Sequence, residues 1–376
     1  ILTVENSRLS SNRAEGGGGG AISATVVSVI SSTFEYNNSY EGAGGAMFIS
    51  SQGLITASSV ISYSGAFIYS NPAISNSFGG GVHMMAGNLN VYDSSFIDNW
   101  VNSATTGSAR GGAIFAGAST AITIENSIFN GNNLMGGADG AQGGAVHAGN
   151  SATAFLQNNT FSGNEAFSIS GVAQGGAVWA GRNSDITIGN SALQRQKLEG
   201  VQDVQGGGVY VGKNATANIA FTQILSGVLE QHLNVAQGGG VFAGNGSAIT
   251  LTENVINGNM LTTTTDYLAR HGGGLFLDTN AVGVINGGEI SYNAVALGVD
   301  AAADGGGVYI SPTARLTADS ISMVGNEAWA YGTGVYYPAP GKGGGVYAGG
   351  WLTLTNSVLR ENMARYYGGG AYVPTG

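Results

Sequence analysis

The chain has 376 residues, a formal net charge of −10, no cysteine and only 9% charged residues, where a soluble protein has about a quarter. An acidic balance with three lysines in the whole sequence excludes nucleic acid and anionic membrane as natural partners. The missing cysteine excludes a disulfide framework and a thiolate metal site, and no apolar run is long enough to span a bilayer.

In chain order, Ile1-Leu2-Thr3-Val4-Glu5-Asn6-Ser7 opens as an extended alternating segment. From Gly19 onward a Gly-Gly-small-aliphatic-aromatic pentad recurs twelve times, at 19, 44, 79, 111, 143, 175, 206, 238, 272, 305, 343 and 368. A fixed period near 32 residues means one supersecondary unit stacked on copies of itself. Each unit reads as three short extended segments. The first follows the glycines, as in Ala113-Ile114-Phe115-Ala116 and Gly240-Val241-Phe242-Ala243. After a Gly/Asn/Ser turn, the second alternates strictly, as in Ile122-Thr123-Ile124 and Leu352-Thr353-Leu354-Thr355, the signature of a half-buried strand. The third carries Phe-x-x-Asn, as in Phe34 to Asn37, Phe96 to Asn99, Phe129 to Asn132 and Phe161 to Asn164. Between that Asn and the next Gly-Gly lies a variable loop, longest in Asn326 to Gly343. Helical periodicity is absent.

These observations predict an all-β fold, a parallel β-helix of about twelve rungs forming one domain over 1–376, about 60 Å long at the usual strand spacing. The third segment keeps its asparagine at Asn12, Asn37, Asn99, Asn132, Asn164, Asn259, Asn293, Asn326 and Asn362. A carboxamide both donates and accepts, so the column is expected to form an internal amide ladder.

The residue after each pentad aliphatic forms a second column: Ser23, Phe48, His83, Phe115, His147, Trp179, Tyr210, Phe242, Phe276, Tyr309, Tyr347 and Tyr372. Its flanking neighbours are apolar, and alternation along a strand then turns the aromatic outward. An exposed stripe of that size predicts a contact surface, covered by a long loop, a second copy of the chain or a glycan. Phe115, Trp179, Tyr210, Phe242 and Tyr309 are the expected lateral contacts.

Catalysis on such a coil needs carboxylates in register on adjacent rungs. Asp93, Asp98, Asp139, Asp185, Asp203, Asp278, Asp300, Asp304 and Asp319 fall at unlike repeat positions; Asp300 and Asp304 share one loop. His83 and His147 share a repeat position but lie two rungs apart, too far for joint ligation. His232 and His271 precede glycine runs in variable loops. The reading is therefore no enzyme, no metal and no cofactor. Of the sequons at Asn37, Asn158, Asn214 and Asn245, those at Asn214 and Asn245 lie in the expected exposed turn and are the candidate glycosylation sites.

Gly-Gly-Ala-[Ile/Val] at 19–22, 111–114, 143–146 and 175–178, paired with Phe-x-x-Asn, resembles the repeat of the chlamydial polymorphic outer membrane proteins. The resemblance runs along the whole chain and implies a right-handed parallel β-helix of the adhesin-passenger kind. The sequence departs from that pattern by favouring Gly-Gly-Gly over Gly-Gly-Ala in its second half. The expected function is that of a non-enzymatic, extracellular or cell-surface building block of a fibre. Its partners would be copies of itself, stacked head to tail so that Gly368–Gly376 of one chain completes the rung begun by Ile1, and glycans are a further candidate. An autotransporter-like adhesin passenger and a carbohydrate-active β-helix enzyme are the alternatives.

Overall fold

The computed structural model describes residues 1–16, 18–40, 42–68, 76–103, 106–231, 234–263, 269–296, 302–329 and 341–374, with 231, 263 and 296 described by backbone alone. His232, Asp300 and most of the long Asn326–Gly343 loop lie outside the described residues. The chain divides into two compact units, Ile1–Thr187 and Ile188–Gly376. Both are built the same way, as a parallel β-solenoid without helix among the described residues.

The turn that starts at Gly143 shows the pattern. Its strands are Val146–Ala148, Thr153–Gln157, Thr160–Ser162, Glu165–Ser168 and Ala173–Gln174. Each pairs in parallel with the equivalent strand of the preceding turn, Ile114–Ala116, Ala121–Glu125, Ile128–Asn130, Asn133–Gly136 and Gly140–Gln142. The stretch after Phe-x-x-Asn is thus no simple loop: it carries a fourth strand and a short fifth one. The third and fourth positions are filled six times in each unit, the fifth four times in the first and five in the second. About nine turns are therefore closed on every side.

The pentad glycines answer two backbone demands. Gly143 sits at φ 74°, and a Cβ there would also stand 2.4 Å from the Val146 carbonyl oxygen. A Cβ on Gly144 would lie 2.0 Å from the carbonyl oxygen of Gly176 in the next turn, closer than atoms can approach. The corner thus becomes tight enough to let the fifth strand fold back beside the first.

Inward columns make the core. In the first unit Ile114, Val146 and Val178, then Ile124 and Leu156, are fully buried. The third position adds a stack of Phe96, Phe129 and Phe161, with ring centroids 4.9 and 4.8 Å apart. In the second unit the same position holds Leu193, Ile224, Ile256, Ile290 and Met323.

Two polar ladders close the corners. The Asn99 side chain donates to Asn132 Oδ1 at 3.0 Å, and Asn132 donates to Asn164 Oδ1 at 2.9 Å. The same bonds run from Asn12 to Asn37, from Asn259 to Asn293, and on through Asn326 to Asn362. Each carbonyl oxygen also accepts a backbone N–H from the turn before, as Asn132 Oδ1 does from Asn99 N at 3.1 Å. A second ladder, at the corner between second and third strands, uses hydroxyls and amides: Ser94 N donates to Ser127 Oγ and Ser127 N to Asn159 Oδ1. In the other unit Ser191, Thr222 and Asn254 repeat it.

Candidate functional site

The aromatic column does stack in register, Phe115 opposite His147 and His147 opposite Trp179. Ring centroids are 4.8 Å apart in the first pair and 4.2 Å in the second, with interplanar angles of 23° and 12°. In the second unit Tyr210, Phe242, Phe276, Tyr309 and Tyr347 stack at 4.8 to 5.2 Å and within 5° of parallel. Each such pair adds about 0.5–1.5 kcal/mol beyond the area it buries.

The column is covered, as expected of an outward-turned stripe of that size, and the cover comes from the chain itself. Phe115, His147, Trp179, Phe242 and Phe276 are all under 10% exposed, and His83 is also buried. Phe48, Tyr210, Tyr309 and Tyr347 are half-buried, as is Tyr372. What covers the rings is the residue just before each Gly-Gly, on the fifth strand. Phe78 packs on Phe115 at 4.6 Å, Gln174 accepts from Trp179 Nε1 at 3.1 Å, and His271 stacks against Tyr309 at 4.3 Å. Lys342 Nζ sits 5.6 Å from the Tyr372 ring. The lateral contacts expected of Phe115, Trp179 and Phe242 therefore lose their surface to the chain's own backbone return.

That covering residue forms a column of its own. In the first unit it reads Phe78, Arg110, Gln142 and Gln174, in register across adjacent turns. Gln142 Nε2 donates to Gln174 Oε1 at 3.2 Å. In the second unit it reads Gln205, Gln237, His271, Asp304 and Lys342. His271 and Asp304, read from sequence as unrelated loop residues, are thus direct neighbours, with Nδ1 and Oδ2 3.8 Å apart. The signal was there: each immediately precedes a pentad.

Burial dominates the electrostatics of this column. It pushes the Asp304 carboxyl up to about 7, against a smaller opposing pull from Lys342. It lowers His271 to about 4 and raises the Tyr309 phenol to about 12. In the first unit burial lowers His83 to about 4; burial, then the Arg110 charge, holds His147 well below its ordinary value. Among the described residues no three His, Cys, Asp or Glu side chains group closely enough to hold a metal ion.

The asparagines of the third segment lie inside, with Asn37, Asn99, Asn132, Asn164, Asn259, Asn293 and Asn326 fully buried. Asn214 is exposed at φ 56° and Asn245 is half-exposed, both in the turn between first and second strands.

No protein-family profile matches the chain, and no curated protein matches it in sequence. Among solved structures, a TibC-catalysed, hyper-glycosylated TibA fragment is similar at 11% identity and a TM-score of 0.20, over 96% of this chain and 99% of that one. The class that the fold itself defines is the parallel β-solenoid. Among the described residues no helix is long and apolar enough to cross a membrane.

Proposed function

We propose that the chain is a non-enzymatic, surface-displayed solenoid of the adhesin-passenger kind, a scaffold that holds a variable outward face. One observation carries this reading: along the second strand the inward positions stay aliphatic while the outward ones vary. Along the second strand of the first unit, the inward neighbours Leu89, Ile122 and Ala154 are aliphatic and buried. The outward column beside them reads Ser28, Leu54, Asn90, Thr123 and Phe155, all at least partly exposed. In the second unit it reads Asn218, Thr250, Val284, Thr317 and Thr353. Ladders and core fix the coil by themselves, so the outward side chains are free to vary with a binding partner.

The test is attachment. Beads coated with the purified chain should bind cultured epithelial cells, and soluble chain should compete. Incubation with acidic and neutral polysaccharides should release no product. Polysaccharide cleavage that disappears on replacing one aspartate would overturn the reading in favour of an enzyme.

A further inference from the structure

A cleft of about 340 Å³ opens in the first unit beside the ring column. Phe115, His147 and Trp179 form its floor, Arg110 and Gln142 one wall, and Ala118, Gly149 and Asn150 the other. Its volume falls in the range of small-molecule sites. Because the three rings stack face to face along the coil, their edges line the floor. Aromatic edges carry the positive end of the ring quadrupole, which favours an electron-rich ligand atom.

Two polar groups in this cleft carry nitrogens without a full hydrogen bond. His147 is 3% exposed, and neither ring nitrogen has a hydrogen bond of full geometry, although the backbone of Ala116 and of His147 itself lies near enough to favour the protonated ring. Arg110 Nε is buried without a hydrogen-bond partner, while the guanidinium lies 5.7 Å from the Phe78 ring and feels the opposite charge of Asp139, with which a ligand carboxylate must compete. An unmet buried donor or acceptor costs about 1–3 kcal/mol, so a ligand that reaches these groups gains, which takes a small shift of the side chains because the three atoms have almost no exposed surface. A guanidinium matches a carboxylate. The imidazole, held neutral by its burial and by the Arg110 charge, offers one donor and one acceptor. That pair matches a hydroxyl, which also donates and accepts, and a bare carboxylate cannot. Asn150 already accepts at Oδ1 from Arg182 N at 2.9 Å, which leaves its amide N–H groups to donate. Gln142 adds a second amide on the opposite wall.

We infer that this cleft binds one acidic monosaccharide unit, its carboxylate on Arg110 and its hydroxyls on His147, Gln142 and Asn150. A peptide carboxylate would meet Arg110 alone and leave the imidazole unmatched. The inference stands apart from the attachment reading, since it concerns a free sugar and a single cleft.

Titration with glucuronate at neutral pH, followed by calorimetry or saturation-transfer NMR, is the test. Saturable binding in about the millimolar range is expected, roughly tenfold tighter than glucose or acetate. Arg110→Ala should weaken it tenfold or more, the worth of a charged hydrogen bond. His147→Phe keeps a stacked ring but removes both nitrogens; it should weaken glucuronate several-fold and leave acetate unchanged. Circular dichroism of both variants should match the parent, and binding by the half-exposed Gln142→Ala variant gives a reading independent of folding. Absence of saturable glucuronate binding, or wild-type binding by Arg110→Ala, overturns the site. Acetate equal to glucuronate overturns the hydroxyl contacts, and tighter inorganic phosphate overturns the carboxylate.

Discussion

The two units wind the same coil from different parts. In the first, the third strand contributes Phe34, Phe96, Phe129 and Phe161, and most pentads read Gly-Gly-Ala. In the second, that strand contributes Leu193, Ile224, Ile256, Ile290 and Met323, and the pentads that open strands read Gly-Gly-Gly. The two changes are connected by space. A Cβ on Gly208, Gly240 or Gly274 would stand 2.7, 2.9 or 3.0 Å from Cγ2 of Ile224, Ile256 or Ile290. A β-branched residue fills the volume that an alanine methyl holds beside a flat Phe ring at Ala113 and Ala145. Ala46, which shares its turn with Ile61, and Gly81, which shares its turn with Phe96, depart from this correlation. Interior volume, rather than backbone geometry alone, selects the third pentad residue.

The largest effect that can test this comparison lies in the Asn ladder, where the units also differ. Asn132 Oδ1 serves both the backbone and the side chain of Asn99, and its Nδ2 serves the Phe96 carbonyl. Asn132→Leu should therefore strip partners from three buried groups and cost roughly 3–5 kcal/mol. Asn259 faces Gly227 instead, so its Oδ1 serves one backbone N–H there and its Nδ2 the Ile224 carbonyl. Asn259→Leu should cost less, about 2–4 kcal/mol. Urea unfolding of the two variants measures the order; equal losses would mean the side-chain relay adds nothing to the backbone bonds.

Next in size is the pentad itself. Gly240→Ala forces a methyl against Ile256 and against the Gly274 carbonyl oxygen at 2.8 Å, an overpacking worth about 1–3 kcal/mol. Adding Ile256→Leu, which has no Cγ2 branch, should recover part of the loss. The reverse change in the first unit, Ala145→Gly, should cost only about 1 kcal/mol. A double variant no more stable than Gly240→Ala would show that the carbonyl, and not the isoleucine, excludes the methyl.

The repeat, the first three strands and the column of asparagines could be read from sequence because each has a period and a distinctive residue. The fourth strand could not. In Trp100–Asn102, Asn133–Gly136 and Glu165–Ser168 one inward aliphatic, Val101, Leu134 or Ala166, is flanked on one side by an outward apolar residue, Trp100, Met135 or Phe167, so these short runs do not alternate in polarity. The second ladder was hidden for the opposite reason: Ser127, Asn159, Ser191 and Thr222 do one job with three residue types. For the aromatic column, alternation along one strand gave the direction of Trp179 correctly relative to its neighbours. It could not show that a glycine corner brings Gln174 back over the ring. Cover of that kind is a tertiary fact.

The smallest expected effect is a cancellation. Between pH of about 4 and 6.5 the buried His271 is neutral in the folded chain but takes up a proton when unfolded, so its contribution to stability rises with pH. Asp304 does the reverse: with its folded value raised to about 7, it keeps a proton that the unfolded chain has lost, and stability falls with pH up to about 7. Each slope is at most about 1.4 kcal/mol per pH unit, and they oppose. The second unit should therefore change by less than about 1 kcal/mol across this range from these two groups. The first unit has His83 lowered to about 4 and no buried carboxyl raised against it among the described residues, so its stability should climb as pH rises from 4 to 6.5. Hydrogen exchange, corrected for its intrinsic pH dependence, can read Val146–Ala148 and Val241–Ala243 separately. A second unit that climbs as steeply as the first would show that Asp304 does not offset His271. Asp304→Asn should produce that climb deliberately, because it removes the falling term and leaves the histidine's rising one alone.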